Sequence, residues 1–121
     1  PAAGEEVKSF VIAGSGEAQE APGDYAERII RLGESTAEAM EEKAVYVLNT
    51  MEARMDALGV GWADVGTSQV YTVHDLYPFF ASQIVGRGAA EAGLTWYYAR
   101  PPVIGLDYEM DVRSVPVERV I

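Results

Sequence analysis

Arg100 is the residue best placed by sequence to handle a ligand. It follows the apolar run Leu94 to Ala99 and precedes Pro101-Pro102. A guanidinium at a strand end, stiffened by prolines, suits bidentate capture of a carboxylate. The plainer reading is an arginine paired with a neighbouring aspartate. Asp107, Glu109 and Asp111 come next, spaced by two along a final strand. Left in water they form an ordinary polar face. Covered by a second subunit, one of them gains a raised pKa and becomes a general acid or base. Gly14-Ser15-Gly16 is the third candidate, because successive backbone N–H groups at a glycine turn can cradle an anion. It lacks the lysine of a phosphate-binding loop and the spacing of a dinucleotide fingerprint, so a plain strand-to-loop turn is equally consistent.

Other constellations are weaker. Ser15, His74 and Asp75 make a hydrolytic triad only on paper, with no nucleophile-elbow sequence around the serine. A lone histidine is a poor metal site, and no metal is expected. Pro1 is a secondary amine able to act as a base, but the tail Ala2-Ala3-Gly4-Glu5-Glu6 reads as processing or a flexible start. The aromatics Trp62, Tyr71, Trp96, Tyr97 and Tyr98 read as core and subunit interface, because basic residues are not interleaved with them.

Composition bounds what these residues can serve. The chain has 121 residues, 49% of them apolar, which fits one packed domain. Lys plus Arg is 9 against 19 Asp plus Glu, a net charge of -10. That balance repels phosphate backbones, so no nucleic-acid partner is expected. There is no cysteine, which excludes thiolate metal sites and a cysteine nucleophile. No run approaches the length of a membrane span and no secretory leader is visible. The expectation is a soluble, cytoplasmic protein without a membrane partner.

The positioning elements follow from periodicity. Val7 to Ala13 reads as a strand ending at the glycine turn. Asp24 is a candidate cap for a short helix, Tyr25 to Leu32, and Ser35 with Glu38 forms a candidate capping box, with Thr36 as the alternative leader. Ala44, Leu48, Met51, Met55 and Leu58 step by 4, 3, 4 and 3, the stripe of a long helix from Thr36 to Leu58, closed by Gly59. Thr67 to Val73 reads as a strand, Phe79 to Ala92 as a second helix with Phe80, Ile84 and Ala89 inward, and Leu94 to Ala99 as an aromatic strand. Leu106, Tyr108, Met110 and Val112 alternate with charged residues, a half-buried strand. The order is strand, helix, strand, helix, strand, strand, with the helices on one face of a sheet.

From Met40 to Arg113 the chain resembles the RidA (YjgF) superfamily of imine and enamine deaminases. The likeness rests on Leu58-Gly59-Val60-Gly61-Trp62-Ala63-Asp64-Val65, on Thr67 to Asp75, on Ala99-Arg100-Pro101, and on Tyr108-Glu109-Met110-Asp111-Val112, with Phe10 to Gly14 like the strand before the family's Ser-Gly-Gln. The resemblance implies an α+β, chorismate-mutase-like fold: a mixed sheet with two helices on one face, in a homotrimer or a multiple of it. It implies Arg100 as the substrate-carboxylate arginine and Glu109 as the acid that handles water; backbone amides of Gly14, Ser15 and Gly16 are expected at a second polar end of the substrate. It requires no cofactor. Here Ala13-Gly14-Ser15 stands where the family has Ser-Gly-Gln, and Pro102 where it often has cysteine. The Glu17 to Glu38 stretch is longer, and two strands that usually come first are missing, so the whole chain is expected to be one such domain without them. The expected reaction is release of ammonia from the enamine or imine of a small carboxylate, such as an imino acid or 2-aminomuconate. The rival is a trimer that binds a small carboxylate without turnover. Ribonuclease activity, also attached to the superfamily, is disfavoured by the charge.

Overall fold

An amphipathic helix needs a surface against which to bury its stripe, and here a four-stranded sheet supplies it. The computed structural model describes residues 9–114. Pro1, together with Val7 and Lys8 of the expected first strand, lies outside the described residues. Strand β1 (Phe10–Gly16), helix α1 (Ala37–Ala57), β2 (Thr67–Tyr71), α2 (Tyr77–Phe79), β3 (Leu94–Tyr97) and β4 (Glu109–Ser114) follow in the expected order. The sheet order is β1-β4-β2-β3. β4 runs antiparallel to both β1 and β2, and β2 pairs in parallel with β3. A parallel pair needs a crossover, and the α2 segment provides it. No helix among the described residues is long and apolar enough to cross a membrane.

α1 buries Ala44, Leu48, Met51 and Met55 as its periodicity predicts, joined by Met40 and Val47. Leu58, placed on the same stripe by spacing, is 57% exposed. The helix ends at Ala57, and Gly59 turns the chain away at φ +73°, so the stripe stops one step early. Thr36 is the cap, its Oγ1 accepting the Ala39 N–H at 3.1 Å, rather than Ser35. The expected helix from Tyr25 to Leu32 is a single 3-10 turn, Tyr25–Arg28, and Asp24 makes no side-chain cap bond. Beyond it Ile29 forms a strand-like bridge to Ala18, which pulls the backbone out of helical geometry.

The second helix also departs from expectation. α2 passes into a π-helix, Phe80–Val85, and the rest of the stretch to Gly93 is turns. Ile84 and Ala89 are buried as expected, but their partner is Phe79 rather than Phe80. These residues are five apart, the step of the wider π turn. The bonds from Gly86 N–H to the Ala81 carbonyl (2.9 Å) and from Ala89 N–H to the Ile84 carbonyl (3.0 Å) have that same span. β3 stops at Tyr97 and β4 starts only at Glu109, yet Leu106, Tyr108, Met110 and Val112 are all buried, so the predicted alternation holds across the strand's beginning.

Asp107 leaves the expected carboxylate row. Lys43, on the inner face of α1, is fully buried, and its Nζ lies 2.6 Å from Asp107 Oδ2 and 3.3 Å from Glu17 Oε2. Glu17, also fully buried, accepts the backbone N–H of Asp107 at 2.8 Å and of Tyr108 at 3.1 Å. His74 Nε2 approaches Asp107 Oδ1 at 3.3 Å, and Thr72 Oγ1 donates to the Asp107 carbonyl at 2.7 Å. One ammonium therefore ties α1 to the chain just after β1 and just before β4, and Asp107 extends the link to Thr72 and His74 just after β2. Burial pushes the Asp107 carboxyl up, but the bonds from Lys43 and then His74 outweigh it, and the pKa falls below the ordinary aspartate value.

Removing one partner of such a group leaves a buried charge unpaired. Lys43→Ala is expected to cost about 3–5 kcal/mol in urea unfolding. Because the folded-state pKa of Asp107 is depressed, its stabilisation is complete above the unfolded value of about 4 and is lost as pH falls through the folded value. Urea midpoints measured from pH 6 down to pH 2 should therefore fall less steeply in Asp107→Asn than in the parent.

Candidate active site

The site is set by one irregularity in β1. Ile12 faces Val112 and Ser15 faces Met110, so β1 carries one residue more than β4 across that interval. This bulge reverses the alternation. Ile12 and Ser15 both turn toward the helices, and Ser15 is only 4% exposed. There its Oγ accepts a 2.6 Å hydrogen bond from Arg54 Nη1 of α1. Gly14 and Gly16 turn the other way, and each is small because something occupies the space of a side chain. A Cβ on Gly14 would stand 2.8 Å from both Cδ and Oε2 of Glu109, and one on Gly16 would stand 2.5 Å from Leu106 Cδ1. The glycines serve close approach of other groups, a use that a tight-turn reading does not anticipate.

Glu109 thus lies with its carboxylate against the Gly14 backbone. It makes no hydrogen bond or ion pair among the described residues. Burial raises its pKa above the ordinary glutamate value, and the charges of Asp111 and Glu17 push the same way. Asp111 is engaged instead: Tyr71 Oη donates to its Oδ2 at 3.1 Å, and Arg113 stands 4.0 Å from its Oδ1. Tyr71 stacks on Tyr97 with ring centres 5.1 Å apart, and burial followed by the Asp111 charge raises its pKa, so it remains a phenol. Of the three carboxylates expected in a row, Glu109 alone has no hydrogen-bond or ion-pair partner among the described residues.

Arg100 is elsewhere. Its side chain is exposed, and it makes no ion pair or hydrogen bond among the described residues, although Pro101 beside it is buried and anchors the chain. It follows β3, whereas Gly14 belongs to β1, and these are the two edges of the sheet. With strands about 4.8 Å apart the edges are about 14 Å from each other. Gly14, Ser15 and Gly16 line a cleft of about 790 Å³ between β1, the 18–28 segment and α1. Arg28 and Arg54 also line it, and no motif in the sequence points to them. The paper triad does not assemble: Ser15 is held by Arg54, His74 by Asp107, and Asp75 accepts the Tyr77 N–H at 3.0 Å. Among the described residues no cluster of three His, Asp or Glu side chains is disposed to hold a metal ion.

This arrangement has relatives. The fold resembles that of the Rid-family protein YyfB from Yersinia pestis, with TM-score 0.60, 18% identity, and coverage of 88% of this chain and 77% of that one. It also resembles the YjgF gene product of E. coli, with TM-score 0.54, 19% identity, and coverage of 94% and 90%. These neighbours define the fold as the chorismate-mutase-like α+β type of the Rid/YjgF proteins. Within that class, residues 1–119 match the family model 2-aminomuconate deaminase CnbZ, and the chain belongs to that family. It is 43% identical over 113 residues to 2-amino-5-chloromuconate deaminase from Comamonas testosteroni. The match takes in 93% of this chain and 45% of that relative, so the chain spans about half the relative's length.

The Gly14 contact is directly testable. In Gly14→Ala the new methyl group displaces the end of a flexible side chain, so the fold should survive while the Glu109 carboxylate swings toward water. NMR titration of the Glu109 carboxyl should show a pKa above the usual glutamate range in the parent and a lower one in the variant.

Proposed function

We propose that this chain is a subunit of a deaminase, a hydrolase of C–N bonds that releases ammonia from the enamine or imine of an unsaturated carboxylate of the 2-aminomuconate kind. The observation that carries the reading is Glu109: a half-buried, unpartnered carboxylate with a raised pKa, seated on Gly14. A base of that character takes a proton from water near neutral pH and gives it back within the same turnover. The family match and the curated relative supply the substrate class.

The steps balance with Glu109 as the proton carrier. The enamine takes a proton at carbon and gives one up from nitrogen, becoming an imine. Glu109 removes a proton from water as the oxygen bonds to the imine carbon, and the nitrogen takes up a proton, giving a carbinolamine. Glu109 then returns its proton to that nitrogen. The C–N bond breaks, ammonia leaves, and loss of the hydroxyl proton leaves a ketone. Arg100 neutralises the carboxylate next to the reacting carbon and fixes its orientation.

Arg100 and Glu109 meet when copies of the chain associate as a homotrimer, the arginine of one reaching the Gly14–Glu109 site of the next. Three observations support this. The two residues sit toward opposite edges of one sheet. Around Arg100 the chain exposes Tyr97, Tyr98, Val103 and Ile104, the last 95% exposed, an apolar surface that suits a protein contact. On the sheet face turned away from the helices, Gln69 Oε1 and Asp111 Oδ1 are buried without hydrogen-bond partners, and a neighbouring copy brings donors to them.

Arg100→Ala is expected to raise KM and lower kcat together in an ammonia-release assay on 2-aminomuconate. Glu109→Gln is expected to lower kcat about 100-fold or more, with KM little changed. If sites are shared, refolding the two variants together restores part of the activity, since some sites then combine an intact arginine with an intact glutamate. A mixture as inactive as its components places both residues on one chain's site and overturns the shared arrangement.

A further inference from the structure

In a chain of charge -10 a cation without an internal carboxylate is scarce. Lys43 is taken up by Glu17 and Asp107. Arg31 pairs with Glu34 at 2.9 Å and Glu42 at 3.3 Å, and Arg87 pairs with Glu52 at 3.0 Å. Arg113 lies 4.0 Å from Asp111. Among the described residues this leaves Arg28 and Arg100 without an ion pair, and Arg54 with only the exposed Glu20 at 3.7 Å. Arg100 is engaged by the mechanism above, and the other two face the same cleft.

Each of the pair is positioned without being neutralised. Arg28 lies over the Tyr25 ring at 5.0 Å, and its Nη1 donates to the Gln19 carbonyl at 3.3 Å. Its Nε is buried and has no hydrogen-bond partner. Stacking and a carbonyl fix a guanidinium in place while leaving its charge for another group. Arg54 is aimed by the buried Ser15 hydroxyl at 2.6 Å, which carries no charge either. The nearest acid is Glu20, 3.7 Å from Arg54 Nη2, with a side chain 88% exposed. A contact that long, made by a side chain so exposed, is weak and easily displaced.

We propose that Arg28 and Arg54 form a carboxylate-binding site in this cleft, taking the carboxylate of a dicarboxylate substrate that is remote from the carbon losing nitrogen. The identity of the acid rests on the deaminase reading, since muconates are six-carbon dienes with an acid at each end. The cleft lies on the helix side of β1 and the Glu109 carboxylate is seated against Gly14 on the opposite side, so an extended acid that engages both passes over the sheet edge that β1 forms. Glu20 occupies the place of the ligand's carboxylate when the cleft is empty.

Calorimetric titration with muconate and with sorbate tests this, because sorbate is the same six-carbon diene with one carboxylate. The parent is expected to bind muconate about 10-fold or more tighter, near 1.4 kcal/mol. Arg28→Gln/Arg54→Gln should abolish that preference, with muconate affinity falling by at least that factor. Glu20→Gln should tighten muconate a few-fold by removing the competitor. In the unaltered protein, the Arg28 Nε–H resonance should shift with muconate, and with sorbate only at correspondingly higher concentration, a readout that no folding defect can imitate. Equal affinity of the parent for both acids, or a double variant that keeps the preference, overturns the site. Muconate has no amino group, so the outcome is independent of turnover: ammonia release with no muconate preference sinks this site alone, and muconate preference with no ammonia release sinks the deaminase reading alone.

Discussion

The structure hangs on an ammonium group that has no water. Lys43 is fully buried on the inner face of α1, and an unpaired charge there would be prohibitive. It is tolerated because Glu17 and Asp107 converge on it from segments 90 residues apart. Glu17 then spends its remaining hydrogen-bonding capacity on the backbone at the approach to β4. The position of Glu109, two residues past Asp107, is inherited from that arrangement, as is the exit of β1 beside it.

Polar chemistry is sorted by face. Toward the helices the sheet presents Ile12, Val70, Met110 and Val112, with Ser15 as the polar exception aimed at Arg54. Away from them it presents Glu109, Asp111, Gln69 and Tyr71, half-buried and incompletely hydrogen-bonded. A chain so acidic keeps few cations free of internal partners. Those it leaves stand where anionic ligands or neighbouring copies are proposed to arrive.

Much of this was legible from residue types and spacing. The order of elements, the α1 stripe, the β4 alternation and the family likeness all followed from periodicity and short motifs, and the family assignment holds. The failures have physical causes. The π-helix changes a step of about 3.6 residues to about 5, so a regular helical period turns Phe80 inward where the structure buries Phe79. The bulge in β1 is invisible to a two-residue period. Local spacing groups Asp107 with Glu109 and Asp111, because its pairing with Lys43 spans 64 residues. A signal for it existed all the same: Lys43 falls three after Met40 and four before Val47, squarely on the apolar stripe. A charge in that position demands a buried partner. Arg28 and Arg54 had no such flag, since each becomes notable only once the neighbouring acids are found to be committed elsewhere.

The extra residue in β1 bears on how relatives are compared. Matching this run position by position to a strand of regular alternation sets every residue beyond Ala13 on the wrong side of the sheet. On such a comparison the Ser15 hydroxyl falls on the Glu109 side of the sheet, when it points into the opposite compartment. Equivalence in this strand has to be judged by which layer a side chain enters, and a gap of one residue in an alignment here exchanges one compartment's chemistry for the other's.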